Sequence, residues 1–100
     1  MLKTKLEVRV KDGNGGVITL PPGLPVTFSP DGSRCIIPHG SRPEKPYNVR
    51  VTSCFKSPSV RSLENWSNDG VCQSVGGKRV EPDGWDENGS PSWLLALGMI

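Results

Sequence analysis

Excess charge of either sign is absent from this 100-residue chain, in which 12 Lys and Arg face 10 Asp and Glu for a formal net charge of +2. That small surplus excludes an acidic mimic of DNA and argues against a strongly basic nucleic-acid-binding arm. Long apolar runs are missing too. No window approaches the ~18 apolar residues of a membrane-spanning helix, and the longest apolar stretch, residues 93–100, is broken by Gly98. Lys3, Lys5, Glu7 and Arg9 place a charge at every second N-terminal position, so no apolar core of a secretory signal can be drawn there.

Cysteine and histidine are scarce. Cys35, Cys54 and Cys72 cannot all pair within one chain, and they sit in or beside apolar runs. Reduced, mostly buried thiols in a cytoplasmic protein are expected. Only His39 is available for proton transfer at neutral pH, and no Gly-x-Ser-x-Gly, His-Glu-x-x-His or Gly-x-x-x-x-Gly-Lys run occurs. No enzyme, no cofactor and no membrane attachment is therefore expected.

Glycine and proline, in contrast, are plentiful, at 12 and 10 residues. They interrupt any long helix and exclude a helical bundle. Leu, Ile, Val and Phe still make up nearly a quarter of the chain, enough for one modest core. Leu6, Val8 and Val10 alternate with Lys5, Glu7, Arg9 and Lys11, the period of a half-buried strand. Residues 12–16, Asp-Gly-Asn-Gly-Gly, make a turn, and Val17 to Leu20 return as its partner. Pro21-Pro22-Gly23 then ends the ladder.

A second hairpin is expected around Ser29-Pro30-Asp31-Gly32, between residues 25–28 and 33–37. Residues 38–46 hold three prolines and read as an exposed loop. Tyr47, Val49 and Val51 alternate with polar residues in a strand that continues into Ser53-Cys54-Phe55. Residues 60–66 fit a short helix, and 71–75 with 78–80 a last hairpin around Gly76-Gly77. Ser90-Pro91 predicts a cap and first turn for a buried apolar helix over 91–98. The fold class expected is mainly β with little helix: a small antiparallel barrel or sandwich of five to seven strands in hairpins, forming a single domain over residues 1–100.

Four chemistries can be weighed. Cys35, His39, Cys54 and Cys72 could complete a Cys3His zinc set, but Cys54 and Cys72 are solitary where zinc ligands usually come in close pairs. Asp83 to Gly89 concentrates oxygen ligands yet lacks the glutamate that closes a calcium loop, so no metal is expected. Between 42 and 61, Arg42, Lys45, Arg50, Lys56 and Arg61 face only Glu44, with Tyr47 and Phe55 interleaved. Cations neutralise phosphates while aromatic faces stack bases, so Arg42, Lys45, Tyr47, Arg50 and Lys56 are candidates for single-strand nucleic-acid binding. Trp66, Trp85, Arg61 and Arg79 are the candidates for a protein-binding surface, because Trp and Arg dominate interface energetics.

Residues 81–98, from Glu81-Pro82-Asp83-Gly84 through Pro91-Ser92-Trp93-Leu94-Leu95-Ala96-Leu97-Gly98, resemble the tails of small accessory proteins encoded by temperate bacteriophages and prophages. The resemblance implies a bacterial cytoplasmic setting. The function expected first is a non-enzymatic interaction module that binds and modulates a host or phage protein. A single-strand nucleic-acid binder comes second and a virion structural component third. Self-association through residues 93–100, Trp93 to Ile100, is a further expectation.

Overall fold

A computed structural model describes residues 2–11 and 15–100. The chain runs β1 (Val8–Lys11), β2 (Val17–Leu20), β3 (Thr27–Phe28), β4 (Arg34–Ile37), β5 (Tyr47–Arg50), α1 (Val51–Cys54), α2 (Val60–Asp69), β6 (Cys72–Gln73), β7 (Arg79–Val80) and α3 (Trp93–Ala96). All strand pairing is antiparallel, in three sheets ordered β1-β2, β3-β4-β5 and β6-β7. The protein is mainly β, as the alternation predicts. The expected hairpins form, although Asp12, Gly13 and Asn14 of the first turn lie outside the described residues. No barrel closes. Strands of two to four residues are too short to wrap a sheet on itself, and the prolines at 21, 22, 25, 38 and 46 interrupt the ladders.

The core gathers Val8, Val26, Cys35, Ile37, Val51, Cys54, Phe55, Leu63, Cys72, Val75, Trp93, Leu94 and Ala96. Phe28 stacks on Phe55 at 6.3 Å between ring centroids. The N-terminal segment is tied down by backbone bonds: Thr4 N–H donates to Leu24 O at 2.8 Å, and the N–H groups of Lys5 and Leu6 both donate to Cys54 O. Leu6 consequently falls outside β1 and is 37% exposed, so the expected alternation begins at Val8.

The strand expected to run from Tyr47 to Phe55 stops at Arg50. Val51 and Cys54 are both buried while Thr52 and Ser53 are exposed. An extended chain would put Val51 and Cys54 on opposite faces, whereas one helical turn puts both on the same face. Phe55 N–H closes that turn on Val51 O at 3.0 Å.

α2 runs three residues beyond the expected Trp66. Ser59 Oγ caps its start by accepting from Ser62 N, and Gly70, at φ 70°, ends it by donating to Trp66 O. Leu63 and Trp66 carry the inward face, and Val60 is left 70% exposed.

The C-terminal helix starts later than Ser90-Pro91 implies. Its cap is Ser92, whose Oγ accepts from Leu95 N at 3.0 Å. Ser90 and Pro91 are instead extended, with Asp86 N–H donating to Ser90 O and Val75 N–H to Pro91 O. Those bonds need only carbonyls from Ser90 and Pro91, so the missing proline N–H costs nothing there. Trp93, Leu94 and Ala96 belong to this chain's own core, while Leu95 and Leu97 are half-buried and Met99 and Ile100 exposed. The expected buried helix over 91–98 is thus a four-residue helix with a solvated end.

Candidate nucleic-acid interface

β1 and β2 meet with Val10 opposite Ile18, and these two side chains floor a cleft of about 490 Å³. Arg9 and Lys11, exposed and alternating with Val10 along β1, also line it. The opposite wall is β5 and the loop before it, contributing His39, Arg42, Lys45, Pro46, Tyr47, Asn48 and Val49.

The loop is held by its histidine. His39 Nδ1 accepts from Ser41 N at 3.1 Å and Arg42 N at 3.0 Å, which leaves the ring proton on Nε2. The imidazole stacks on Tyr47 with centroids 4.9 Å apart and planes 26° from parallel. A turn closed by Lys45 N–H on Arg42 O places both cations beside that aromatic pair.

Four cations therefore border one cleft: Arg9, Lys11, Arg42 and Lys45. Among the described residues no Asp or Glu lines it. Among the described residues none of the four makes an ion pair or a side-chain hydrogen bond. Unpaired cations around an apolar floor with an aromatic wall fit an anion carrying a flat ring system.

Of the five candidates for nucleic-acid binding, the fold brings Arg42, Lys45 and Tyr47 together here. Arg50 and Lys56 lie elsewhere. Arg50 borders a second cleft of about 360 Å³ with Ser33, Arg34 and residues 96–98, and Lys56 borders a third beside Phe55 and Trp93. Arg9, Lys11 and His39 escaped the sequence reading as members of this set. The alternation does place Arg9 and Lys11 on one face, but nothing local says that β5 lies across from them.

The four protein-binding candidates do not share a cleft. Arg61 and Trp66 are both on α2, five residues apart, so the helix turns them about 140° away from one another. Trp66 is half-buried against the core, and Arg79 is exposed on β7. Trp85 is 40% exposed and lies opposite Pro91 in an isolated bridge. Its neighbours brace it: Ser92 N–H donates to Gly84 O, and the Asp86 carboxylate accepts from Ser74 Oγ, Asn88 N and Ser90 N.

Those bonds occupy the best oxygen ligand of the 83–89 loop. Among the described residues no three His, Cys, Asp or Glu side chains gather to hold a metal ion. Cys35 and Cys54 are adjacent, fully buried thiols, and the contact with Cys54 together with burial pushes the Cys35 thiol far above its ordinary range. Cys72 sits apart, its Sγ bonded to Gln73 O. No helix among the described residues is long and apolar enough to cross a membrane. No family model matches the chain, and neither a curated protein nor a solved structure matches it.

Proposed function

We propose that the protein is a non-enzymatic binding module that holds single-stranded nucleic acid in the cleft between the β1–β2 hairpin and β5. One observation carries this reading: Arg9, Lys11, Arg42 and Lys45, unpaired among the described residues, border the same cleft as the His39–Tyr47 stack, with no described acidic residue lining it. The cations take phosphates and the stacked His39–Tyr47 pair, both rings half-buried, supplies the aromatic surface for an unstacked base, an interaction worth about 1–3 kcal/mol per base. A duplex keeps its bases stacked and has no use for that ring. The resemblance of residues 81–98 to the tails of phage and prophage accessory proteins supports a setting in a bacterial cytoplasm, among phage or host strands.

Four phosphate contacts on a single strand release counterions with a slope of about −0.7 each, so log affinity falls against log salt with a slope of about −3 or steeper. Raising salt from 50 to 200 mM then weakens binding about fiftyfold. Fluorescence anisotropy of a labelled oligothymidylate measures this directly. Binding that ignores salt, or no binding at 50 mM, overturns the proposal.

A protein partner is the second reading. Its support is Trp85, a large aromatic ring 40% exposed on a segment fixed by backbone bonds on both sides, the form of a pre-organised interface anchor. A phage or host protein modulated through that ring would lose affinity on Trp85→Ala and be indifferent to Arg42→Gln.

A further inference from the structure

His39 stands at the head of the loop that carries two of the four cleft cations. Residues 40–46 are all exposed, so hydrogen bonds and not packing fix this loop. His39 Nδ1 accepts from Ser41 N and Arg42 N, and Lys45 N–H closes the turn on Arg42 O at 2.9 Å. The Arg42 backbone is thus pinned from both sides, its N–H by the imidazole and its carbonyl by Lys45.

Only the neutral ring can make those bonds. A ring nitrogen accepts through its lone pair, and in the imidazolium both nitrogens carry protons, so no rotation of the protonated ring restores an acceptor. Nε2 holds the neutral ring's hydrogen, and an added proton therefore takes the Nδ1 lone pair that the Ser41 and Arg42 N–H groups share. The stack on Tyr47 does not resist the change, because a cation over an aromatic face is attractive. The charged groups lining the cleft with His39 are Arg9 and Lys11 on β1 and Arg42 and Lys45 on the loop; Tyr47 on β5 is the other titratable one, and β2 contributes only Ile18. Glu44 is on the same loop but does not line the cleft, so no carboxylate among the described lining residues offsets an imidazolium.

We infer that His39 is a positioning residue and a proton gate for the cleft: neutral, it holds Arg42 and Lys45 against a bound strand, and protonated at Nδ1 it releases the loop and both phosphate contacts. This gating rests on the proposed single-strand binding in the cleft, and it has the opposite sign to simple charge. One more positive charge beside phosphates strengthens binding as pH falls. Release of the loop weakens it.

The test is anisotropy of a labelled oligothymidylate over a salt series at pH 8 and pH 5, which bracket the range in which histidine changes charge. Wild type, His39→Asn and His39→Leu are compared, each first checked for an unchanged melting curve. The wild-type slope should drop from about −3 at pH 8 to about −1.4 at pH 5, two contacts of ~0.7 each being lost, with affinity at 50 mM at least about tenfold lower. His39→Asn keeps an acceptor oxygen near the place of Nδ1 and does not titrate. It should bind more weakly than wild type, because the stacked ring is gone, yet hold one slope near −3 at both pH values. His39→Leu has neither ring nor acceptor, and its slope should be near −1.4 at both. Without ligand, the Ser41 and Arg42 amide proton shifts should move together between pH 8 and pH 5 in wild type and stay in place in His39→Asn.

Wild-type amide shifts that ignore pH, or a slope that holds or steepens at pH 5, overturn the gate and leave the cleft as a strand-binding site. An equal loss of slope in His39→Asn assigns the pH response to another group and overturns the gate as well. No binding at pH 8 overturns the single-strand reading itself, and the gate with it.

Discussion

Adding a single methyl group at Gly32 tests how the 84–92 segment is seated on the β3–β4 turn. Gly32 is buried at φ 80°, and its N–H closes the turn on Ser29 O at 2.9 Å. A Cβ there would lie 2.8 Å from Pro91 Cβ, 3.2 Å from Pro91 Cγ and 3.4 Å from Trp85 Cζ2. Two costs add: about 1–2 kcal/mol for an alanine in left-handed backbone and about 1–3 kcal/mol for overpacking against a proline ring that cannot swing away. Gly32→Ala should therefore destabilise by about 2–5 kcal/mol. For a domain of this size each kcal/mol moves the midpoint by about 4–8 °C, so thermal unfolding followed by circular dichroism should show a fall of at least about 8 °C. Gly40→Ala is the control, because no atom lies within 4 Å of its Cβ and its φ is not positive. The control should stay within about 1 kcal/mol of wild type. Equal midpoints for the two variants would refute the seating of Pro91 and Trp85 over Gly32.

Three more outcomes follow from local structure. Ser92→Ala removes the α3 cap and leaves both Leu95 N and Pro82 O without the hydroxyl that bonds them, so urea denaturation should report a loss of about 1–3 kcal/mol. Cys35, Cys54 and Cys72 are fully buried, so an aromatic disulfide reagent should label no thiol in the native protein and all three in denaturant; rapid native labelling of one would contradict the core. Asp31 accepts from the Ser29 hydroxyl, Ser33 N and the Ser33 hydroxyl, which hold its carboxyl down at about 2. The fold thus favours the ionised form: the turn's contribution is complete above pH 4 and is lost as pH falls towards 2. Asp31→Asn should flatten that part of the stability profile, and an unaltered acid limb would show that the Ser29 and Ser33 bonds do not form.

Much of the fold is legible in local pattern. β1 and β2 follow from the alternation of Val8 and Val10 with Arg9 and Lys11, and the β3–β4 hairpin from Pro30-Asp31-Gly32, because period and turn chemistry act over a few residues. α1 is not legible, since alternation through Tyr47, Val49 and Val51 is strand-like until tertiary packing demands Val51 and Cys54 on one side. Ser92 displaces Ser90 as the cap for a similar reason: residues 85–86 pair with 90–91 and draw them into extended backbone. The basic cleft is half legible. Arg42, Lys45 and Tyr47 are close in sequence, but Arg9 and Lys11 reach them only through long-range placement of the first hairpin, which no local signal encodes.

Amide chemical shifts recorded during titration with a short oligothymidylate at 50 mM salt test the central claim most directly. The largest changes should fall on Arg9, Lys11, His39, Arg42, Lys45, Tyr47 and Asn48, and they should reverse when salt is raised. Changes centred on Trp85 and its neighbours, or none at saturating oligonucleotide, would contradict binding in the β1–β2/β5 cleft.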